Sequence, residues 1–222
     1  MQTEQTPQGL RLTLKLVFYG PALSGKTTNL MQLHERLQPQ RKGELMVLET
    51  RDDRTLFFDM LPIGLKQQQG LDLRLKLYTV PGQVQHDSTR KAVLSRADGI
   101  VFVADSDVAQ QDNNAAAFDN LADNLHKLGM SIEQIPLVVQ FNKRDLPEAV
   151  AADTLQQIWR STPWSPLQMA TALQGDGVVE TFVTLLQRLY PALDAEFFLA
   201  RDYALDASTF VQQLSNAGGP HA

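Results

Sequence analysis

The stretch "YGPALSGKTTNL", residues 19–30, contains the spacing G-x-x-x-x-G-K followed by Thr, and it guides the interpretation of the whole chain. An apolar run, "RLTLKLVFYG" (11–20), precedes it, and an amphipathic segment, "KTTNLMQLHERLQ" (26–38), follows it. This order predicts a strand, a glycine-rich loop and a helix. Glycines let such a loop turn tightly, so that its N–H groups and the positive helix end face phosphate oxygens. The alternative is an ordinary strand-to-helix turn with an incidental lysine.

Each polar residue of this loop has a predicted task. Lys26 would neutralise the terminal phosphates of a nucleotide, and the Thr27 hydroxyl would bind Mg²⁺. The residues that we predict to contact the phosphates are Gly20, Ala22, Leu23, Ser24, Gly25, Lys26, Thr27 and Thr28.

Strand and helix patterns alternate along the chain, which predicts an α/β fold with right-handed crossovers. The runs "DGIVFVAD" (98–105) and "IPLVVQFN" (135–142) are almost wholly apolar, as expected for parallel strands covered on both faces. We expect a mostly parallel sheet of six or more strands with helices on both faces. Two strands before residue 80 should form a hairpin and add an antiparallel pair. The predicted strands are 11–20, 44–50, 55–63, 71–80, 98–105 and 135–142, and the predicted helices are 26–38, 111–128, 147–160 and 176–189.

Composition excludes several classes of protein. The chain has 222 residues with a net charge of -5, which argues against a general nucleic-acid or anionic-membrane surface. It has no cysteine, so disulfides, thiol catalysis and cysteine-based metal sites are excluded. No apolar run approaches the roughly 20 residues that cross a bilayer, and the polar N-terminus is no secretory signal. We therefore expect a cytoplasmic protein without a transmembrane segment.

A second motif, "FNKRDLP" (141–147), follows an apolar strand and fits N-K-x-D. The Asp145 carboxylate could accept hydrogen bonds from N1–H and the exocyclic amine of guanine, a donor pair that adenine lacks. Asn142 would brace the loop, and Lys143 would lie along the base plane. Alone the motif is weak, but its place after a phosphate loop predicts guanine binding.

Together these motifs resemble the Ras-like small GTPases, and more closely their MglA-like bacterial branch, which acts in cell polarity and gliding motility. The resemblance covers about residues 10–190. "TVPGQ" (79–83) is specific to this branch, because most Ras-like proteins carry D-x-x-G-Q there. The stretches that carry the resemblance are "GPALSGKTTNL", "DRTLFFDMLP", "LYTVPGQ", "DGIVFVADS" and "NKRDLP".

The resemblance implies a Ras-like P-loop fold and a GTP/GDP switch that uses Mg²⁺. Thr55 would close on Mg²⁺ and the γ-phosphate, so Thr27 and Thr55 are the expected metal ligands. Gly82 would offer its N–H to the γ-phosphate. We align the fifth family motif to Ala170, Thr171 and Ala172, where the Thr171 N–H would meet guanine O6.

The resemblance also implies catalytic residues. Gln83 would orient the attacking water, Arg54 would supply a positive charge from the protein's own chain, and Lys26 would act on the phosphates. An intrinsic arginine of this kind is worth a factor of about 10³–10⁵ in rate. The alternative for Arg54 is a solvated surface charge, because "ETRDDRT" (49–55) is charged throughout.

Two residues depart from the family pattern. Ala22 replaces a usual glycine and would crowd the space that Gln83 and an arginine must enter, so we expect slow intrinsic hydrolysis. Thr79 stands where an aspartate usually holds a Mg²⁺-bound water. Three carboxylates are possible helpers for the metal, each more typical of a surface charge or turn: Asp52, Asp53 and Asp105.

The resemblance further implies partners. A roadblock-domain (MglB-like) homodimer would stimulate hydrolysis, effectors of polarity or motility would read the GTP state, and the protein would be recruited to a cell pole. In this branch the strand after the first switch is thought to slip in register. "LFFDMLPIG" (56–64) suits that idea because it is apolar on both faces. A strand that is covered on both faces and does not slip would show the same pattern. Pro62 would limit pairing at its end.

We divide the chain into a flexible N-terminus (1–9), the GTPase domain (10–190), a C-terminal helical extension (191–215) and a disordered tail (216–222). The extension could bind a partner, but simple packing on the sheet or on the last helix of the domain is the simpler expectation.

Two other functions stay open. The first is a non-hydrolysing, GTP-gated scaffold that recruits effectors, which Thr79 and Ala22 favour and which Gln83 and Arg54 oppose. The second is a P-loop nucleotide kinase, but the chain shows no arginine-rich lid and "NKRD" has no role there.

Overall fold

The chain alternates strands and helices through most of the computed structural model, which describes residues 1–6, 9–37, 43–48, 58–66, 70–81 and 87–215. The strands are β1 (Gln2–Thr6), β2 (Gly9–Tyr19), β3 (Met46–Leu48), β4 (Phe58–Lys66), β5 (Leu71–Thr79), β6 (Gly99–Asp105), β7 (Leu137–Asn142) and β8 (Gln168–Met169). The helices are α1 (Lys26–Arg36), α2 (Asp87–Leu94), α3 (Gln111–Lys127), α4 (Ala152–Trp159), α5 (Val178–Phe197), α6 (Leu199–Tyr203) and α7 (Ala207–Ser215).

One mixed sheet organises the molecule. Its described strands follow the order β3-β4-β5-β2-β6-β7-β8, and β1 pairs with β2 off this path. The pairs from β5 through β8 are parallel, whereas β3–β4 and β4–β5 are antiparallel. This confirms the predicted α/β fold and its antiparallel hairpin. Strand β4 continues its pairing with β5 beyond Pro62 to Lys66, so the expected limit at the proline is wrong.

The N-terminal segment differs from its prediction. Gln2–Thr6 pairs antiparallel with the first part of β2, from Gln2 opposite Thr13 to Thr6 opposite Gly9. Further along, β2 exchanges this neighbour for β6, starting at Leu16. The 11-residue β2 is longer than the strand beside it, and β1 supplies hydrogen bonds to the part that β6 does not reach. Gln2–Thr6 thus forms a paired strand within the segment 1–9 that we predicted as a flexible N-terminus.

Helices cover both faces, as expected. Every residue of β6 and β7 is buried, because these central strands lie between two helical layers. One apolar cluster joins the sheet to α1, α5 and α7, and a second joins it to α2, α3 and α4. The described side chains of β4 alternate, with Leu61 and Ile63 buried and Pro62 half-buried between them. Most of "LFFDMLPIG" falls outside the described side chains, and its slip remains a prediction.

The C-terminal helices belong to the main core. Helix α5 runs through Pro191 to Phe197, so the boundary predicted at 190 falls inside a helix. A proline inside a helix costs about 3 kcal/mol, but burial of Leu193 on the following turn holds α5 in place. The Tyr190 hydroxyl donates to the Leu205 carbonyl at 2.9 Å, and its ring lies 5.5 Å from the ring of Phe210. The extension thus packs on α5 and the sheet, and the tail predicted at 216–222 lies outside the described residues.

This topology gathers the loops of the site at one edge of the sheet. The parallel strands β2, β5, β6 and β7 end there at Tyr19, Thr79, Asp105 and Asn142. Loops that follow such carboxyl ends are where α/β sheets bind ligands. Among the described helices, none combines the length and apolar character needed to cross a membrane.

Candidate nucleotide-binding site

The phosphate loop between β2 and α1 requires glycine at two positions. Gly20 has φ 139° and Gly25 has φ 96°, both in the region that side chains disfavour. A Cβ at Gly20 would lie 2.2 Å from the Val103 carbonyl oxygen, and one at Gly25 would lie 2.2 Å from Asn142 Nδ2. The loop therefore packs its backbone directly on β6 and β7, which only glycine permits.

The lysine of the motif lies against the loop's own backbone. Lys26 Nζ donates to the carbonyl of Gly20 at 3.0 Å and to that of Pro21 at 2.5 Å, and the side chain is buried. Ser24 is also buried, and its Oγ has no hydrogen-bond partner among the described residues. This cradle thus holds a fixed cation and an unsatisfied hydroxyl, which suit a phosphate ligand.

The start of α1 adds donors to the cradle. Helix α1 has no side-chain cap and no acidic residue in its first turn. Its first N–H groups and its dipole therefore favour an anion. Thr27 is exposed at this end and Thr28 is half-buried. A hydroxyl oxygen is a ligand that Mg²⁺ accepts, so the role of Thr27 as a metal ligand stays a prediction that its exposure permits.

Asn142 joins three parts of the site. Its Nδ2 donates to the Ser24 carbonyl at 2.8 Å, and its Oδ1 accepts from the Ala172 N–H at 2.8 Å. The side chain is buried. It thus ties the phosphate loop and the loop after β8 to the end of β7, which is the bracing geometry that the N-K-x-D motif predicts.

The rest of that motif divides into a paired lysine and an open carboxylate. Lys143 Nζ forms an ion pair of 2.6 Å with Asp105 Oδ2. Asp105 is buried, and its Oδ1 accepts from the Asp107 N–H at 3.1 Å. Asp145 is exposed, and no described residue bonds to its carboxylate. Asp145 is therefore open to a base, whereas Asp105, a possible metal helper by sequence, is committed to Lys143 and is no surface charge.

In the loop after β8, the N–H group that the prediction assigns to guanine O6 is already engaged in a hydrogen bond. The Thr171 N–H, expected to meet guanine O6, donates instead to the Asp176 carbonyl at 3.0 Å. The neighbouring N–H groups are also used, by Phe141 for Ala170 and by Asn142 for Ala172. The cause is a tight turn here, where Thr171 and Asp176 form a bridge. Guanine could reach the Thr171 N–H only if that bond opened.

Thr79 and Ala22, the two residues that depart from the family pattern, both lie near the phosphate loop. Thr79 is buried at the end of β5, opposite Phe18 and so close to the phosphate loop. Ala22 is exposed on the loop, followed by Leu23, which has φ 62° and is 87% exposed. Several predicted site residues lie outside the described residues: Asp52, Asp53, Arg54, Thr55, Gly82 and Gln83.

A buried polar chain behind the loop was missed from sequence. Asn29 Nδ2 donates to the Gly25 carbonyl at 2.9 Å, and its Oδ1 accepts from Gln140 Nε2 at 2.9 Å. Gln140 also donates to Thr181 Oγ1 at 2.8 Å. These hydrogen bonds connect the first turn of α1 to β7 and α5. Their signal was the glutamine inside the apolar strand "LVVQFN".

Other features of the site concern metals. Within the described ranges, no group of three or more His, Asp or Glu side chains is arranged to hold a metal ion.

Comparison with known proteins gives a consistent result. The chain matches the ADP-ribosylation factor family over residues 5–189. It is 44% identical over 170 residues to the mutual gliding-motility protein MglA of Myxococcus xanthus (strain DK1622), covering 77% of this chain and 87% of that protein. It is 27% identical over 175 residues to ADP-ribosylation factor-like protein 6 of Caenorhabditis elegans, covering 74% of this chain and 80% of that protein.

Proposed function

The chain belongs to the ADP-ribosylation factor family as an MglA-like small GTPase, and on this premise we propose that it is a GTP/GDP switch in gliding motility or cell polarity. The structural observation that supports nucleotide switching best is the Asn142 brace. It joins the phosphate loop to the loop after β8, beside the open carboxylate of Asp145. Two loops that contact opposite ends of one nucleotide are thus held by a single side chain.

We assign the phosphates to the loop from Gly20 to Thr28. Its N–H groups and the α1 N-terminus donate to phosphate oxygens, and Lys26 neutralises their charge. The guanine base lies on the other side of Asn142, where Asp145 accepts from N1–H and the amine. The residues proposed for the base are Asn142, Lys143, Asp145, Ala170, Thr171 and Ala172, with Thr171 in the role that needs its bond to Asp176 to open.

Hydrolysis is proposed to use Gln83, Arg54 and Lys26. Water attacks the γ-phosphorus, the bond to the β-phosphate oxygen breaks, and GDP and phosphate leave. Gln83 orients the water, and Arg54 and Lys26 stabilise the charge that spreads over the transferred group. Thr27 and Thr55 would hold Mg²⁺ together with the phosphates, and the ion would supply positive charge that offsets part of this negative charge. Gly82 is proposed to hold the γ-phosphate through its N–H.

The intrinsic rate is proposed to be slow because of Ala22. Its methyl group stands on the exposed side of the loop, where a catalytic glutamine and arginine have to approach the γ-phosphate. Single-turnover GTP decay in Ala22→Gly should be faster than in wild type. An unchanged or slower glycine variant would contradict the crowding argument.

The partner proposed for this GTPase is a roadblock-domain (MglB-like) homodimer that stimulates hydrolysis by placing Arg54 and Gln83. The proposal follows from the resemblance to the MglA branch. It further implies a cytoplasmic protein that is recruited to a cell pole and read there by polarity or motility effectors. Adding a purified roadblock homodimer should raise the GTP hydrolysis rate of wild type and leave that of Arg54→Ala unchanged. Stimulation of both proteins alike would reject the role of Arg54.

A second candidate is a GTP-gated scaffold that does not hydrolyse. Thr79 favours it, since a buried neutral hydroxyl takes the place of the usual aspartate beside the metal. Phosphate release in the presence of a saturating roadblock partner separates the two functions. Release above the background of a protein-free sample supports the GTPase switch, and its absence supports the scaffold.

A further inference from the structure

A polar cluster outside the nucleotide contacts links the phosphate loop to the start of α2. Tyr19 is the last residue of β2 and directly precedes Gly20. Asp87 is the first residue of α2, and residues 82–86, which include Gly82 and Gln83, precede it in the sequence. Between them, α3 presents Asn120 and Asn124, which are four residues apart and so share one helix face.

The bonds of this cluster form a continuous path. The Tyr19 hydroxyl donates to Asn120 Oδ1 at 2.5 Å. Asn120 Nδ2 donates to Asp87 Oδ1 at 3.2 Å, and Asn124 Nδ2 donates to the same oxygen at 2.8 Å. Asn124 Nδ2 also lies 3.4 Å from the Tyr19 hydroxyl and 3.1 Å from Asn120 Oδ1. Phosphate loop and α2 are thus connected through two amides of α3.

Burial makes the path firm at its centre. Tyr19 and Asn124 are almost completely buried, and Asn120 is half-buried. The amides hold the pKa of Asp87 down at about 2, with Asn124 the largest cause, so the carboxylate stays charged. Burial raises the pKa of Tyr19, so its hydroxyl keeps the proton that it donates. Charged acceptors and buried donors make such bonds stronger than exposed neutral ones.

Helix α2 depends on this cluster because it is short. It has eight residues, and isolated helices of that length are marginal in water. Its C-terminal end is held by buried Val93 and Leu94 in the apolar cluster with α3. Its N-terminal end is held by the bonds of Asp87 to Asn120 and Asn124. The cluster therefore determines where the chain emerges from residues 82–86 into α2.

We propose that Tyr19, Asn120, Asn124 and Asp87 position the start of α2 relative to the phosphate loop and thereby set the rate of GTP hydrolysis. The inference rests on the proposed function, in which Gln83 orients the attacking water. Hydrolysis depends on the placement of that water. If Asp87, four residues after Gln83, is no longer held in place, the water is positioned less precisely and the reaction slows. None of the four residues is a catalytic residue, because they act through α2.

The test is Tyr19→Phe, which removes one hydroxyl and keeps the buried ring. Tyr190→Phe is the matched control, since it removes a buried hydroxyl bond on the opposite face of the sheet. We expect the single-turnover GTP hydrolysis rate of Tyr19→Phe to fall about three- to tenfold, the loss expected for one net hydrogen bond. GDP affinity should stay within about twofold, because Tyr19 is not among the residues proposed to contact the nucleotide. Tyr190→Phe should hydrolyse at the wild-type rate despite a comparable drop in thermal stability.

Equal hydrolysis rates for Tyr19→Phe and Tyr190→Phe would overturn the inference. So would a loss of GDP affinity as large as the loss of rate, because the effect would then lie in the phosphate loop itself. Asn120→Ala, at a half-buried position that tolerates truncation, provides a second variant if Tyr19→Phe does not fold. Its rate should fall likewise, and the two effects should be less than additive in the double variant, because both variants remove the same bond between Tyr19 and Asn120. Additive effects in this cycle would contradict a common path.

Gln83→Leu separates this inference from the proposed function. If Gln83→Leu hydrolyses GTP at the wild-type rate, the role of Gln83 in the proposed function is wrong. If Gln83→Leu is slow and Tyr19→Phe is normal, only the positioning cluster is wrong.

Discussion

Removing the brace at Asn142 is the sharpest test of the nucleotide site. Asn142→Ala breaks the 2.8 Å bonds to the Ser24 carbonyl and from the Ala172 N–H, both in a buried position. Each of the two bonds leaves a buried partner unsatisfied when it is lost, which costs about 1–3 kcal/mol. Some of this cost is relieved by water that enters the space of the lost amide, so we expect a total loss of about 2–4 kcal/mol.

That loss is shared between folding and binding. The nucleotide requires the phosphate loop and the loop after β8 in fixed relative positions, so at least a third of the loss should appear in binding. GDP affinity should then fall at least about threefold to tenfold, since a third of about 2–4 kcal/mol is about 0.7–1.3 kcal/mol and 1.4 kcal/mol corresponds to tenfold. Fluorescent GDP titration measures the affinity, and urea unfolding with and without GDP measures the free energy of unfolding.

Two further variants make the result specific. Asn142→Asp keeps an acceptor for the Ala172 N–H but places a carboxylate oxygen against the Ser24 carbonyl, so it should lose affinity as strongly. Asn113→Ala removes an exposed asparagine whose amide, among the described residues, bonds only Gln110, so it should behave as wild type. If Asn142→Ala binds GDP within about threefold of wild type and unfolds at the same urea concentration, the brace does not hold the site.

Four other predictions follow from single contacts. Asp145→Asn replaces a carboxylate with two acceptor oxygens by an amide with one donor and one acceptor. Competition binding should therefore show a weaker GDP affinity and a relative gain in affinity for the xanthine nucleotide. An unchanged preference for guanine would show that Asp145 does not contact the base. Gly25→Ala places a Cβ 2.2 Å from Asn142 Nδ2, so calorimetry should find that GDP binding is lost. Gly129→Ala is the control and should bind GDP normally, because nothing lies within 4 Å of the added Cβ. Phe210→Ala truncates a fully buried ring of α7 and should lower the free energy of unfolding by about 3–5 kcal/mol; a loss below about 1 kcal/mol would show that α7 is not part of the core. Asp87 has a pKa of about 2 against 3.8 when unperturbed, so its contribution to stability is present above pH 3.8 and is lost as pH falls toward 2. The difference in free energy of unfolding between wild type and Asp87→Asn, measured by urea titration, should therefore shrink over that pH range. A constant difference would contradict the lowered pKa.

Most of the architecture was predictable because its signals are local. The apolar runs of β6 and β7 and the alternation of β5 follow from the faces that each strand buries, and these patterns are visible in a few residues. The phosphate loop was predictable for the same reason, since Gly20 and Gly25 are needed by the local backbone. The family resemblance was confirmed by the match to MglA.

The errors share a different cause. The first strand, Gln2–Thr6, is polar and has no apolar pattern, and it forms because the long β2 leaves hydrogen-bonding groups without a neighbour. The helix predicted over 176–189 stops too early, since α5 continues through Pro191 to Phe197 with Leu193 buried against the core. In both places, contacts with residues far along the chain outweigh the local preference.

The site divides along the same line. The sequence alone determined that this chain binds a guanine nucleotide, because loop glycines, Lys26 and the N-K-x-D residues are chemical requirements written in short motifs. Only the tertiary structure decided what those residues contact: that Asn142 joins two loops, that Asp105 is held by Lys143, and that the Thr171 N–H is already engaged. It also brought Tyr19 and Asp87, 68 positions apart by their residue numbers, to the same two asparagines of α3. Motifs specify side-chain chemistry, whereas hydrogen-bond partners depend on the packing of strands and helices that no local pattern encodes.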